Sequence, residues 1–303
     1  MVIGSVGGMK TRFGMLAAIV LAPLAVAGAM VVVDRHFGTA GRGRDYVVHI
    51  DFPPAGREVG LPPIEGPLDA SRPLVVIDAG HGGHDPGAHN GSRNEKDLTL
   101  TLARALEARL LAGGGIRVAL TRSDDRYLLL EERSGMARRL KADLFVSIHA
   151  DSADDAGATG ATVYTLSDRG SSEEAERLAA SENRADSVNG IPLASGDGDV
   201  NAILVDLSQR HTDAQSGQFA GLVLREGEGH MVFRDRPLQS AAFVVLKSPD
   251  VPSVLFEAGY ISNPRDVVWL SSKQGQDAFA TVADRAIRVF FARQSVPALL
   301  AAP

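Results

Sequence analysis

The chain of 303 residues contains no cysteine. Disulfides and thiolate ligands are therefore excluded, and any metal site must be built from histidine and carboxylate. The absence does not fix the compartment, because many exported bacterial proteins also lack cysteine. A basic excess is missing as well. The formal net charge is −6 and the isoelectric point about 5.8, which argues against a nucleic-acid partner needing a basic stripe. No internal repeat is visible, and nothing reads as a second folded domain. Apolar residues make up 45% of the chain, enough for one sizeable α/β core.

One long uncharged run is present, at the beginning. Lys10 and Arg12 precede residues 13–33, FGMLAAIVLAPLAVAGAMVVV, with no charge until Asp34. Its length suits a membrane anchor, while the basic flank and the small pair Ala25 and Ala27 suit a cleavable secretory signal. Either reading of residues 1–33 sends the remainder out of the cytoplasm, into the periplasm or tethered to the inner membrane; a buried core helix is the third. Residues 34–72, rich in glycine and proline, read as a linker with a short strand at Tyr46–His49.

From Pro73 onward strand and helix patterns alternate. Strand-like runs fall at 74–79, 116–121, 144–149, 160–166, 242–247 and 253–258, and helical periodicity at 95–112, 128–141, 172–188, 206–225 and 275–293. The expected fold class is α/β: a single domain over 73–293 with a mixed, mostly parallel twisted sheet of about six strands, helices on both faces and a helical insertion near 167–241. Residues 294–303 are a tail. Ligands of such sheets sit beyond the carboxyl ends of the strands, and three strand ends carry metal-capable residues: Asp78 and His81, His149, and Glu257.

Zinc hydrolases hold their ion with three His or Asp/Glu ligands and leave a position open. His81 and His149 with Glu95, which opens the first long helix, would make such a set, but their wide separation means that only the fold can assemble it. Each taken singly is equally readable as a satisfied loop residue. Glu257 follows the apolar run VLF, where an unpaired carboxylate is costly. It is either a general base on water or half of a structural ion pair.

The segments VIDAGHGGHDPGA…NEKD, ADLFVSIHAD and PSVLFEAGYISNP together resemble the zinc-dependent N-acetylmuramoyl-L-alanine amidases of the AmiA/AmiB/AmiC type, over roughly residues 73–293. Ala79, where many members carry proline, and Arg138, where relatives often carry asparagine, depart from the pattern. The resemblance implies zinc held by His81, Glu95 and His149, with Glu257 as catalytic glutamate. The implied reaction is cleavage of the amide between N-acetylmuramic acid and L-alanine in peptidoglycan, during wall remodelling and daughter-cell separation. It leaves His84 and His89 unassigned, either solvated loop residues or substrate contacts.

The insertion opens with Ser171 and Glu174 spaced as a capping box. Its apolar stripe, Ala175, Leu178, Ala179 and Ala185, includes Glu182 at helical spacing. The division-associated branch of these amidases has a helix here that plugs the zinc site until an activator of the LytM-domain type withdraws it. By that likeness Glu182 fills the open zinc position; the alternative is a Glu182 solvated or paired with Arg177 or Arg184. Residues 196–213 then suit contact with the activator. A monomer is expected. Two other readings stay open on sequence alone: a non-catalytic wall-binding regulator of the same fold, and a metallopeptidase cutting within stem peptides.

Overall fold

The computed structural model describes residues 60–300 apart from 92, 154–156, 189–190 and 193–201. The leader at 1–33, the strand expected at Tyr46–His49 and the activator segment before residue 202 lie outside the described residues.

Six strands form one mixed sheet in the order β4-β1-β5-β10-β6-β9. They are β1 (Leu74–Ala79), β4 (Arg117–Leu120), β5 (Leu144–Asp151), β6 (Ala161–Leu166), β9 (Phe233–Ala241) and β10 (Ser253–Tyr260). β4, β1, β5 and β10 run parallel, while β6 lies antiparallel to β10 and parallel to β9. Short pairs β2 (His89–Asn90) with β3 (Arg93–Asn94) and β7 (Ser187–Val188) with β8 (Ile191–Pro192) complete the strands among the described residues.

The central strands are apolar almost without a break because both faces are covered. Successive residues alternate between two cores, as a period of two requires. Val75 and Ile77 join Val146, Ile148 and Phe256 on one face, under α1 (Glu95–Gly113), α4 (Ala202–Gly227), α5 (Pro264–Ser271) and α6 (Lys273–Leu300). Leu74, Val76, Phe145 and Leu255 face the other way, toward α2 (Leu130–Arg139) and α3 (Glu173–Glu182). α1 buries Leu98, Leu102, Ala103, Leu106 and Leu110, the i, i+3, i+4 face that docks a helix on a sheet.

Three local expectations are corrected. The run 242–247 is no strand: Val244–Leu246 forms a 3-10 turn whose Val245 and Leu246 are buried with Phe243 in the second core. The sixth strand is β9, just upstream and inside the span expected to be helical. Its sequence FRDRPLQSA is polar and contains Pro237, which a strand tolerates only at a sheet edge, and β9 is the edge. The helix expected over 172–188 stops at Glu182, where a 3-10 turn, Asn183–Asp186, takes over. Its cap is Ser172, whose Oγ accepts from Ala175 N at 3.1 Å, rather than Ser171, whose Oγ accepts from Ser240 N.

Candidate metal centre and active site

The carboxyl ends of β1, β5 and β10 meet beside the N-terminus of α1. Past β1 the chain turns sharply, and His81 takes a left-handed conformation with φ of 60°. Two buried arginines hold this turn by its carbonyls. Arg122 donates to Ala79 O and Gly80 O, and Arg133 donates to Ala79 O and His81 O, each at 2.8 Å. Arg133 is neutralised by Asp78, 2.9 Å away, which also accepts from Thr121 Oγ1 and Ser147 Oγ. Burial alone would raise the Asp78 pKa, but the Arg133 charge and the two hydroxyl donors outweigh it and hold the carboxyl below its ordinary range. Asp78 is thus committed to Arg133, although its position at a strand end made it metal-capable by sequence.

His81, Glu95 and His149 are brought together. Their ligating atoms all lie within 4.8 Å of one another, and all three residues are buried. Glu95 is pinned at the head of α1: Oε2 accepts from Ala88 N and Oε1 from Ala150 N, both at 2.9 Å. Its Oε2 is 3.1 Å from His81 Nε2 and its Oε1 3.1 Å from His149 Nδ1. Burial opposes the Glu95 charge, yet the charge of His81 and the His149 hydrogen bond override it and hold its pKa far below the usual carboxylate range. His81 is shifted the other way. Burial would lower it, but Glu95 and then Glu182 raise it well above its ordinary value.

Glycines make this closeness possible. A Cβ on Gly80 would lie 2.5 Å from the His149 ring, and one on Gly87, whose φ is +66°, would lie 2.6 Å from His81 Cδ2. Asp85, which sequence reasoning left out, supports the set: its Oδ2 lies 2.7 Å from His81 Nδ1. A carboxylate there fixes the tautomer that turns Nε2 toward a metal. The i, i+4 spacing of His81 and Asp85 is the only trace of this in the sequence, and it carries weight only once the turn geometry is known.

Glu182, at the end of α3, reaches the same point. Its side chain is 12% exposed, and its Oε2 is 3.4 Å from His81 Nε2 and 3.3 Å from His149 Nδ1. Pairing with Arg177 or Arg184 is not what places it. Burial first, and then repulsion from Glu95 and Asp85, push its pKa up despite the two histidines. Glu257 is buried on β10, and its register partner on β5 is His149. His84 is exposed and stacks on Tyr127 with ring centres 4.1 Å apart, and His89 is exposed on β2 at the cleft wall. Arg138 pairs with Asp250 on the surface at 2.8 Å.

The donor set is compatible with a metal ion. The ligand atoms of His81, Glu95 and His149 lie within 4.8 Å of one another, and the Glu95 and Glu182 oxygens lie 3.1 to 3.4 Å from the two histidine nitrogens. Two of the atoms, His81 Nε2 and Glu182 Oε2, are buried without a hydrogen bond. Two histidines and carboxylate oxygens suit zinc. Beside the cluster opens a cleft of about 1390 Å³ walled by α3, β9 and the loop after β5.

Fold and site together define an α/β protein with a His–Glu–His cluster at the carboxyl edge of a mixed sheet. The family model for N-acetylmuramoyl-L-alanine amidase matches residues 75–289. AmiA of Salmonella typhimurium, an N-acetylmuramoyl-L-alanine amidase, is 39% identical over 224 residues, 73% of this chain and 77% of that protein. AmiC of Escherichia coli O6:H1 is 33% identical over 283 residues, 90% of this chain and 67% of its own length. Among solved structures, AmiC2 of Nostoc punctiforme matches at 27% identity with a TM-score of 0.52, covering 73% of this chain and 98% of that one. The chain belongs to the N-acetylmuramoyl-L-alanine amidase family.

Proposed function

We propose that the protein hydrolyses the amide between N-acetylmuramic acid and L-alanine in peptidoglycan with zinc as its metal, and that α3 inhibits it in the resting state. Peptidoglycan amidase activity in wall remodelling follows from the family. The zinc, the residue roles and the inhibition are this proposal's own. His81, Glu95 and His149 hold the ion, which when bound polarises the amide carbonyl and makes water a nucleophile at neutral pH. Glu257, beside His149 on the neighbouring strand, takes a proton from that water and passes it to the leaving amine. Asp85 keeps His81 in the ligating tautomer.

The observation that carries the reading is the matched spacing of Glu95 and Glu182 about the two histidines. A carboxylate at that point takes the position a substrate carbonyl or water needs. Glu182 therefore closes the site, and α3 must leave before substrate can enter. Two anchors hold the C-terminal end of the helix, just past Glu182. Asn183 donates to Ala242 O and accepts from Val244 N, both at 2.8 Å. Asp186 accepts from Leu130 N and from the Tyr127 hydroxyl. An activator, of the LytM-domain type by resemblance, would withdraw α3 by pulling on the insertion. The protein works outside the cytoplasm as a monomer, delivered by residues 1–33. Among the described residues no helix is long and apolar enough to cross a membrane.

Purified sacculi test this. The protein lacking residues 1–40 is assayed with zinc or chelator, alongside Glu182→Ala and Glu257→Ala variants, and products are weighed. The reading expects free stem peptides with an L-alanine amino terminus, faster release from Glu182→Ala than from the parent, and none with chelator or Glu257→Ala. Cuts within stem peptides would indicate a metallopeptidase. Silence from both the parent and Glu182→Ala would indicate a wall-binding regulator.

A further inference from the structure

Arg234 lies on the edge strand β9 and lines the same cleft as the metal cluster. One amino group, Nη2, donates to Glu174 Oε1 at 2.6 Å. The other, Nη1, is buried without a hydrogen bond. The guanidinium stands over the ring of Tyr260, with Cζ 5.2 Å from the ring centre, and its side chain is 17% exposed against 41% for Glu174. An arginine oriented by an aromatic face, with one amino group unspent and the other given to a carboxylate on α3, has the geometry of a carboxylate receptor.

Glu174 and Glu182 are the two acids that α3 sends into this cleft. Eight residues separate them, about 12 Å along a helix. An extended peptide covers that length in about three to four residues. We propose that Arg234 is the substrate-carboxylate anchor of the cleft, and that α3 lies there as a pseudo-substrate. In this arrangement Glu182 takes the place of the scissile amide at the metal cluster, and Glu174 takes the place of a carboxylate on the third or fourth residue of the stem peptide. This rests on the reading of α3 as an inhibitor. Withdrawal of the helix takes Glu174 and Glu182 out of the cleft, with Arg177 and Arg184, and leaves Arg234 and Arg236 beside Asp235 on the β9 wall, so Arg234 loses its carboxylate partner and can take one from a peptide.

The test is binding, which needs no turnover. Stem peptides released from sacculi are used as such and after conversion of their carboxylates to amides. Their affinities are measured by calorimetry for four proteins in a Glu182→Ala background: the background itself and ones adding Glu174→Gln, Arg234→Gln or Arg234→Lys. With Glu174→Gln the native peptide binds about tenfold or more tighter than the amidated one. The preference falls to near unity with Arg234→Gln and returns in part with Arg234→Lys, which keeps the charge without the fork. Equal affinity for native and amidated peptides in the Glu174→Gln protein overturns the assignment, as does an undiminished preference in Arg234→Gln. The inhibitor reading is judged separately, by Glu182→Ala against the parent on sacculi: if those two are equal, that reading falls while the peptide preference still decides Arg234.

Discussion

Asp85 Oδ2 lies 2.7 Å from His81 Nδ1, four residues away in the turn after β1. The pair converts a histidine on a glycine-rich loop into a directed one, because the bond at Nδ1 fixes both the ring plane and the tautomer. Replacing Asp85 with alanine leaves the three ligands in place and removes that support. Zinc affinity should fall about 10–100-fold, read by competition with a chelating dye, while the unfolding temperature of the metal-free protein moves little. Unaltered affinity would mean that the turn alone orients His81.

Gly80 offers a steric test of the same centre. Its backbone passes so close to the His149 ring that an added Cβ would sit 2.5 Å away, and the ring would have to move. Gly80→Ala should therefore fold and yet lose at least about a hundredfold in kcat, as misplacement by about 1 Å does. Hydrolysis of sacculi by a Glu182→Ala, Gly80→Ala protein checks this against Glu182→Ala alone. Retention of full rate would show that His149 has room to retreat.

The Asp78–Arg133 pair contributes stability that acid removes. The Asp78 pKa is lower folded than unfolded, so its contribution is fully present above about pH 4, the unfolded value, and is lost as pH falls through the folded value. Asp78→Asn leaves Arg133 buried with a neutral partner. The change should cost about 3–5 kcal/mol at pH 7 and flatten the dependence of stability on pH below about 4. Urea unfolding at pH 3, 5 and 7 measures both, and an unchanged acid slope would assign acid lability to other carboxylates.

The parts of this arrangement that are legible in sequence are those that rest on short-range patterns. β1, β5 and β10 carry near-continuous apolar runs because they are buried on both faces, and a histidine or glutamate at the end of such a run is conspicuous. Glu182 is visible for a similar reason, as an acid on the apolar stripe of α3. β9 hides because an edge strand needs no apolar alternation and tolerates Pro237, while the apolar 242–247 run is spent on a buried turn. Arg122 and Arg133 hide for a different reason. Their chemistry lies in carbonyls of the 79–81 turn, more than 40 residues away, and a buried arginine looks in sequence like any surface charge. The Arg234–Glu174 pair spans 60 residues and is equally silent.

Asn183 separates a plug from a passive cover. Its side chain makes two backbone hydrogen bonds, with Ala242 O and Val244 N, at the point where α3 turns away from the metal cluster, and neither bond is to a ligand residue. Asn183→Ala removes both bonds and leaves two backbone groups to be satisfied by water, a loss of about 1–3 kcal/mol. If α3 gates the site, that loss falls on the closed state alone, since the withdrawn helix does not make those bonds. The open population should then rise about 5–150-fold, and so should the rate at which the otherwise intact protein releases stem peptides without an activator. Hydrogen exchange across 174–186 should quicken in parallel. Faster exchange with no gain in rate would mean that the helix moves but does not block, and Glu182 would then be a bystander at the metal.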